Sequence, residues 1–166
     1  SFEVKNNQTN PMPFTLGYHP GFNWPLIEED NPETYSLVFN GHETADRLLM
    51  GNNLITGVSE DYLQNQSRLN LSKSLFQDDA IILQGMQSQS VSLKSSLHNK
   101  KVVMEFGKVP YLAFWSPKKQ GHFVCIEPWY GLPDDVETNG DFRAKKGMME
   151  LEKEESFQWS CSIEIQ

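Results

Sequence analysis

The feature that most constrains the fold is an alternation of apolar and polar residues that recurs along the chain. The clearest example closes the sequence, between Phe157 and Ile165. The same pattern opens the sequence at Ser1–Lys5 and returns at Ser90–Lys94. Successive side chains of a strand point to opposite faces of a sheet, so a period of two predicts half-buried strands.

Other segments carry short, nearly continuous apolar runs, which are typical of strands covered on both faces. They lie at Tyr35–Phe39, Ala80–Leu83, Val102–Phe106, Tyr111–Trp115 and His122–Ile126. Turn signals such as Asn40-Gly41 and Gly51–Asn53 separate some of these runs. Only Ser59–Leu69 could form a helix, and a loop explains that segment equally well. The sequence therefore predicts an all-β protein, with residues 1–166 forming one antiparallel β-sandwich domain.

Charge and arginine content restrict the partners. The 166 residues carry 14 basic and 22 acidic side chains, which gives a formal net charge of −8. Nucleic acid and anionic membrane surfaces are therefore not expected as partners. The arginines are confined to positions 47, 68 and 143, which disfavours phosphate-rich ligands.

Nothing in the sequence predicts insertion into a membrane or export. No apolar run approaches the roughly 20 residues that span a bilayer, and the first ten residues are polar. Cys125 and Cys161 lie in apolar segments and form no C-x-x-C pair, so we expect them to be buried and reduced. The predicted location is the cytoplasm.

Three stretches concentrate reactive and aromatic side chains, at residues 14–25, at 123–131 and, with a weaker signal, at 74–80. His19 and Glu127 each precede a proline, which holds their backbones extended and suits side chains that must be aimed. Histidine can transfer protons near neutral pH, and burial would raise the pKa of Glu127. Aromatic rings of Trp24, Trp115 and Trp129 could cover the apolar faces of a sugar.

Structural explanations exist for the same residues. His19 could be a loop histidine, Glu127 could cap a turn at the end of a strand, and Trp115 could belong to the core. Turn chemistry accounts for one of Asp78 and Asp79. The remaining histidines, at positions 42, 98 and 122, show no metal-ligand spacing with each other or with the cysteines. The sequence predicts no metal site.

Three motifs together resemble the aldose 1-epimerases, or galactose mutarotases, and in particular their LacX-type branch. They are Gly-Tyr-His-Pro-Gly-Phe at 17–22, Ser-Leu-Phe-Gln-Asp-Asp-Ala-Ile-Ile at 74–82 and Phe-Val-Cys-Ile-Glu-Pro-Trp at 123–129. The resemblance implies a β-supersandwich fold and interconversion of the α and β anomers of a free aldose without a cofactor. It implies Glu127 as general base, His19 as general acid, Asp79 as a ligand of sugar hydroxyls, and Trp129 and Trp115 as pocket walls.

The chain departs from the family in length. Its members carry a long segment before the point that matches Ser1, and that segment contributes a second histidine and an arginine to the sugar site. No His-Gly-x-x-Arg stretch occurs here, so the chain resembles the C-terminal half of a mutarotase. Strands that lost their partners would expose their edges, which predicts a possible homodimer.

Two alternative functions remain open from the sequence. A truncated remnant could fold and bind sugar through its tryptophans without catalysing any reaction. A glycosidase could pair Glu127 with Asp134 or Asp135, provided that the two carboxyls lie about 5–10 Å apart.

Overall fold

The computed structural model describes residues 1–118 and 122–166, and within these ranges the chain is nearly all β-structure. The strands are β1 (Phe2–Lys5), β2 (Met12–Phe14), β3 (Gly21–Asn23), β4 (Tyr35–Gly51), β5 (Leu54–Asn70), β6 (Ile81–Gln84), β7 (Ser90–Ser95), β8 (Lys101–Glu105), β9 (Tyr111–Trp115), β10 (Phe123–Trp129), β11 (Met149–Leu151), β12 (Ser156–Trp159) and β13 (Ser162–Ile165). Single 3₁₀ turns lie at Pro32–Thr34 and Phe142–Ala144. The all-β prediction is confirmed.

A curled antiparallel sheet of nine strands dominates the architecture, in the order β13-β8-β7-β4-β6-β9-β10-β3, with β5 also paired to β4. Two small sheets, β1-β12 and β2-β11, accompany it. Among the residues that the structure describes, no helix has the length and apolar character that a membrane crossing requires.

The long hairpin β4–β5 differs most from the sequence prediction. Ser59–Leu69, the candidate helix, lies inside β5. Most of its side chains are exposed, so the apolar alternation that reveals a half-buried strand is missing. The predicted turn at Asn53 is confirmed: Asn52 and Asn53 both have positive φ, at 51° and 64°, as a tight hairpin turn requires.

The turn predicted at Asn40-Gly41 is wrong, because β4 continues through it with an irregularity in its pairing. β4 pairs with β7 before this point and with β6 after it. Glu43 stabilises the change of partner, since its buried carboxylate accepts the backbone N–H groups of Gln87 at 2.9 Å and Ser88 at 2.6 Å. Because of this irregularity, the first part of β4 pairs with β7 and its later part pairs with β6 in the same curled sheet.

The alternating segment at the end of the chain forms two strands and not one. β12 pairs with β1, whereas β13 pairs with β8 in the main sheet. Trp159 is buried, and its indole Nε1 donates to the carbonyl of Phe106 at 2.8 Å. A period of two predicts where strands occur, but it does not predict with which strands they pair.

Two apolar clusters cover opposite faces of the main sheet. The larger contains most of the buried side chains, among them Tyr35, Phe76 and Phe114. The smaller consists of Leu48, Ile55, Ala80, Ile82, Ala113 and Leu132, with Met50, Tyr111, Trp115 and Trp129 packed against it. The smaller cluster lies where β4, β6, β9 and β10 are neighbours, which is also where the candidate site lies.

Candidate active site

Strand β10 distributes its side chains between the two faces. Val124 and Ile126 belong to the larger apolar cluster, so the alternate residues Cys125 and Glu127 point to the opposite face. On that face Glu127 lies beside Ala113 of β9, its cross-strand partner. The strand thus uses its apolar residues to anchor the sheet and presents a carboxyl group on the other side.

The segment before β3 runs antiparallel to β10 and brings His19 to Glu127. Gly17 bridges Trp129, and Gly21 is the partner of Cys125. These two pairs bracket His19 and set it opposite Glu127, so that both side chains lie on the same face. The distance between His19 Nε2 and Glu127 Oε2 is 3.3 Å.

Two glycines allow this close approach. A Cβ on Gly17 would lie 2.8 Å from Cδ1 of Trp129, and a Cβ on Gly21 would lie 3.0 Å from Cδ2 of Phe123. Each glycine therefore leaves room for an aromatic ring of β10 beside the histidine. The Gly-Tyr-His-Pro-Gly motif is explained by this packing as much as by the histidine itself.

Glu127 is a carboxyl group in apolar surroundings. It is 1% exposed, and in the described part of the chain its Oε1 has no hydrogen-bond partner. Its neighbour Ala113 pairs in turn with Ile82, and both are fully buried. Desolvation disfavours the charged form of the carboxyl and raises the pKa of Glu127 to about 8. The imidazole of His19, by contrast, is 59% exposed.

The three tryptophans of the sequence prediction take different positions. Trp115 contacts the site, with its ring 6.2 Å from the His19 ring in an edge-on arrangement. Trp129 lies two residues after Glu127 on the same strand and packs beside Gly17. Trp24 is 3% exposed in the larger cluster, where its Nε1 donates to the carbonyl of Pro32. Trp24 is therefore a core residue, and the prediction that it lies with Trp115 and Trp129 around the site is wrong.

Asp79 lies at the entrance to β6, two residues before Ile81, which pairs with Phe114 of β9. It has a φ of 110°, a conformation that a non-glycine residue rarely adopts, and its Oδ1 accepts the N–H of Ala80 at 2.7 Å. Asp79 is half-buried whereas Asp78 is exposed. Backbone strain of this kind concentrates at binding and catalytic positions.

Cys125 is the member of the site that sequence reasoning treated only as a buried apolar residue. Its Sγ, His19 and a Glu127 carboxylate oxygen all lie within 4.8 Å of one another. Burial, and then the negative charge of Glu127, raise the pKa of the Cys125 thiol to about 12. The Cys-x-Glu spacing on a predicted strand could have revealed that Cys125 lies beside Glu127, because residues two apart share a face.

A family model described as aldose 1-epimerase matches residues 1–149 of the chain. The chain belongs to the aldose 1-epimerase family. Two curated relatives, the chromosomal and plasmid forms of protein LacX from Lactococcus lactis subsp. lactis, are each 37% identical over 142 residues. That alignment covers 82% of this chain but 47% of each LacX protein, so the chain spans about half the length of the curated relatives it matches.

Solved structures of the family agree with the fold. A galactose mutarotase related enzyme from Lactobacillus acidophilus superposes with a TM-score of 0.90 at 28% identity, over 99% of this chain and 55% of that protein. A galactose mutarotase-like protein from Lactobacillus casei gives a TM-score of 0.87, also at 28% identity, over 99% of this chain and 57% of that one. The predicted mutarotase-like β-sandwich is confirmed.

The carboxylates of the glycosidase alternative have other partners. Asp134 Oδ1 lies 2.8 Å from Lys145 Nζ, and Asp135 Oδ2 lies 3.5 Å from Lys146 Nζ. Each of these carboxylates contacts a lysine, whereas the carboxyl group of Glu127 lies in apolar surroundings. This arrangement gives the glycosidase hypothesis no support.

Proposed function

We propose that the chain is an aldose 1-epimerase that interconverts the α and β anomers of a free hexose. The observation that carries this proposal is the 3.3 Å separation of the Glu127 carboxyl and the His19 imidazole. Anomer exchange requires proton transfer at two oxygens, the C1 hydroxyl and the ring oxygen, and both are bonded to C1. An acid and a base that nearly touch can reach two oxygens on one carbon.

The reaction then consists of proton transfers around one bond cleavage. Glu127 takes the proton of the C1 hydroxyl while protonated His19 gives a proton to the ring oxygen, and the bond between C1 and the ring oxygen breaks. Rotation about C1–C2 turns the other face of the aldehyde towards the hydroxyl that the former ring oxygen has become. The reverse transfers close the ring as the other anomer. The chemistry needs no cofactor, because positioning and proton transfer lower the barrier.

The surroundings of Glu127 suit a general base. Proton transfer is most efficient when the pKa of the base lies near the working pH, and burial raises the pKa of Glu127 to about 8. Exposed His19 can exchange its proton with solvent between turnovers. The difference in exposure thus fits two different roles, with buried Glu127 as the base and exposed His19 as the acid.

We assign the sugar contacts to three further residues. Trp115 and Trp129 offer apolar surface against the C–H faces of a pyranose, and Asp79 offers carboxylate oxygens to its hydroxyls. We expect a neutral hexose, because two of the three arginines, Arg47 and Arg143, are paired with Glu60 and Glu150. A phosphorylated sugar would require cations at the site.

We also infer a cytoplasmic location for the reaction. Cys125 and Cys161 are free thiols, as the reducing conditions of that compartment favour. The expected partner is the sugar, and neither nucleic acid nor a membrane enters the proposal. The acidic composition, with 22 acidic against 14 basic side chains, supports that choice.

Polarimetry on freshly dissolved α-galactose and α-glucose tests the activity. The wild-type chain should accelerate the approach to anomeric equilibrium over a buffer blank. Glu127→Gln keeps the shape of the side chain but removes its basicity, so the acceleration should fall by about 10²–10⁴-fold, the usual contribution of a general base. Asp134→Asn is the matched control, and its rate should stay close to that of the wild type.

Two outcomes would contradict the proposal. Full acceleration by Glu127→Gln would exclude this residue as the base. A folded wild-type chain that never exceeds the blank, but whose tryptophan fluorescence saturates with sugar, would be a sugar-binding protein without catalysis.

A further inference from the structure

The arrangement of His19, Cys125 and Glu127 resembles a metal centre as much as an acid–base pair. It offers one imidazole nitrogen, one sulfur and one carboxylate oxygen, all within 4.8 Å of one another. It is the one group of this kind among residues 1–118 and 122–166. Cys125 and Glu127 share a face of β10, and His19 faces them from the segment that precedes β3.

We propose that this cluster binds a zinc ion through His19, Cys125 and Glu127, with the fourth coordination position open to solvent. Sulfur and imidazole ligands favour zinc over calcium or magnesium, which prefer oxygen. Three protein ligands and one open position form a common zinc geometry. The exposed side of His19 provides the path by which the ion enters.

The orphaned oxygen of Glu127 points independently to a ligand. Its carboxyl group is 1% exposed and its Oε1 has no hydrogen-bond partner in the described residues, although buried polar atoms are nearly always satisfied. A cation bound beside it would satisfy that oxygen. The charges would also balance, because one thiolate and one carboxylate neutralise a divalent ion in apolar surroundings.

The distances require only a small contraction. Bond lengths near 2.0–2.3 Å put the ligand atoms of a tetrahedral zinc site roughly 3.3–3.7 Å apart. No pair in the cluster is more than 4.8 Å apart, so the widest must close by at most about 1.5 Å. Rotation of the His19 side chain, which is 59% exposed, can shorten its distances to both ligands on β10.

Zinc binding changes the protonation of its ligands. The metal takes the sulfur as a thiolate, so the Cys125 proton leaves to solvent, and Glu127 binds as a carboxylate. The bound ion then occupies the two groups that the proposed epimerase reaction needs for proton transfer. Inhibition of anomer exchange by zinc follows, and this consequence alone rests on the proposed function.

Metal binding can be measured without any reference to activity. Competition against a chromophoric chelator gives the zinc affinity, and cobalt substitution reports the sulfur ligand through its thiolate-to-metal charge-transfer absorption. Cys125→Ser should abolish that absorption and weaken zinc binding beyond the ~10–100-fold that loss of an outer-shell partner costs. His19→Asn changes an exposed side chain and should weaken zinc binding similarly while the core stays folded.

The control changes two carboxylates that lie outside the cluster. Asp134→Asn combined with Asp135→Asn should leave zinc affinity and the cobalt spectrum unchanged. A wild-type chain without the charge-transfer absorption, or a Cys125→Ser chain with wild-type affinity, would overturn the zinc site. If zinc binds as expected but anomer exchange continues unaffected, the metal site stands and the catalytic roles of Glu127 and His19 are wrong.

Discussion

The buried carboxyl of Glu127 should make the stability of the protein depend on pH in a specific direction. The folded chain keeps this proton up to a pKa of about 8, whereas the ordinary value for an unfolded glutamate is 4.5. Below pH 4.5 both states are protonated, so the neutral carboxyl costs nothing extra. Between these values only the unfolded state releases the proton, and the free energy of unfolding falls as pH rises, then levels off above pH 8.

Glu127→Gln removes this dependence because its amide does not ionise in the same range. The difference in unfolding free energy between wild type and variant should shift by on the order of 2–4 kcal/mol in favour of the variant from pH 4.5 to pH 9. Denaturant unfolding at several pH values measures it, and contributions of all other groups cancel in the difference. Parallel curves would mean that the carboxyl ionises as it does in water.

Single residues of the site were predictable where a motif marks them. His19 and Glu127 each precede proline, and the three motifs resemble one family, so the sequence alone was enough to make both of them candidates. Their 3.3 Å separation did not, because it depends on pairing between segments from opposite ends of the chain. Trp24 shows what the motifs do not reveal. The pairing register of the preceding strand with β10 decides which face of the sheet Trp24 occupies, and it places this residue in the core.

At the scale of elements, the Gly17–Gly21 segment pairs with β10 at both of its ends and thereby positions His19 beside that strand. Gly17→Ala would push a methyl group into Cδ1 of Trp129, 2.8 Å away, and must displace the ring or the segment. Displacement by about 1 Å can cost as much as 10²-fold in rate. We expect a large loss of polarimetric rate and altered tryptophan fluorescence, with the fold retained.

Gly41→Ala is the control for that substitution. Its added methyl would meet only Ser88 Oγ, at 3.9 Å, which is an ordinary contact. The rate should therefore stay near that of the wild type. Equal losses in the two variants would mean that glycine replacement acts through general destabilisation, and unchanged rates in both would mean that the segment does not position His19.

The long strands show which elements sequence patterns reveal. Short buried strands such as β6 and β9 carry a strong apolar signal and were predicted close to their observed bounds. β5 pairs along β4 with most of its side chains exposed, so its stability comes from backbone pairing that leaves little trace in composition. Ser59–Leu69 was therefore misread as a helix or a loop.

At the scale of the molecule, one sheet serves two purposes. Its larger apolar cluster holds the strands together, while the opposite face carries a smaller cluster around the candidate site. Val124 and Ile126 of β10 therefore pack into the larger cluster, and the alternate residues Cys125 and Glu127 face the candidate site. Changes at Val124 or Ile126 should act on folding, whereas Glu127→Gln should act on the proposed reaction and, above pH 4.5, should also stabilise the fold.

The outer strand β13 leads to the last prediction, which concerns assembly. Ile163 and Ile165 are 42% and 83% exposed, although their partners on β8, Met104 and Val102, are buried. On its outer side β13 pairs with no strand in the described part of the chain. An apolar, unpaired edge favours another strand, and we propose that a second copy of the chain supplies its own β13 in antiparallel two-fold pairing.

Sedimentation velocity over a range of concentrations should detect the dimer. Ile163→Lys combined with Ile165→Lys places like charges at the shared edge and should weaken association by at least about tenfold, which is 1.4 kcal/mol. Leu97→Lys, a change at another exposed apolar residue, should leave it intact. Each copy carries a net charge of −8, so added salt should strengthen the wild-type dimer by screening repulsion. A wild-type chain that stays monomeric at every concentration, or a β13 variant that dimerises like the wild type, would show that this edge does not join two copies.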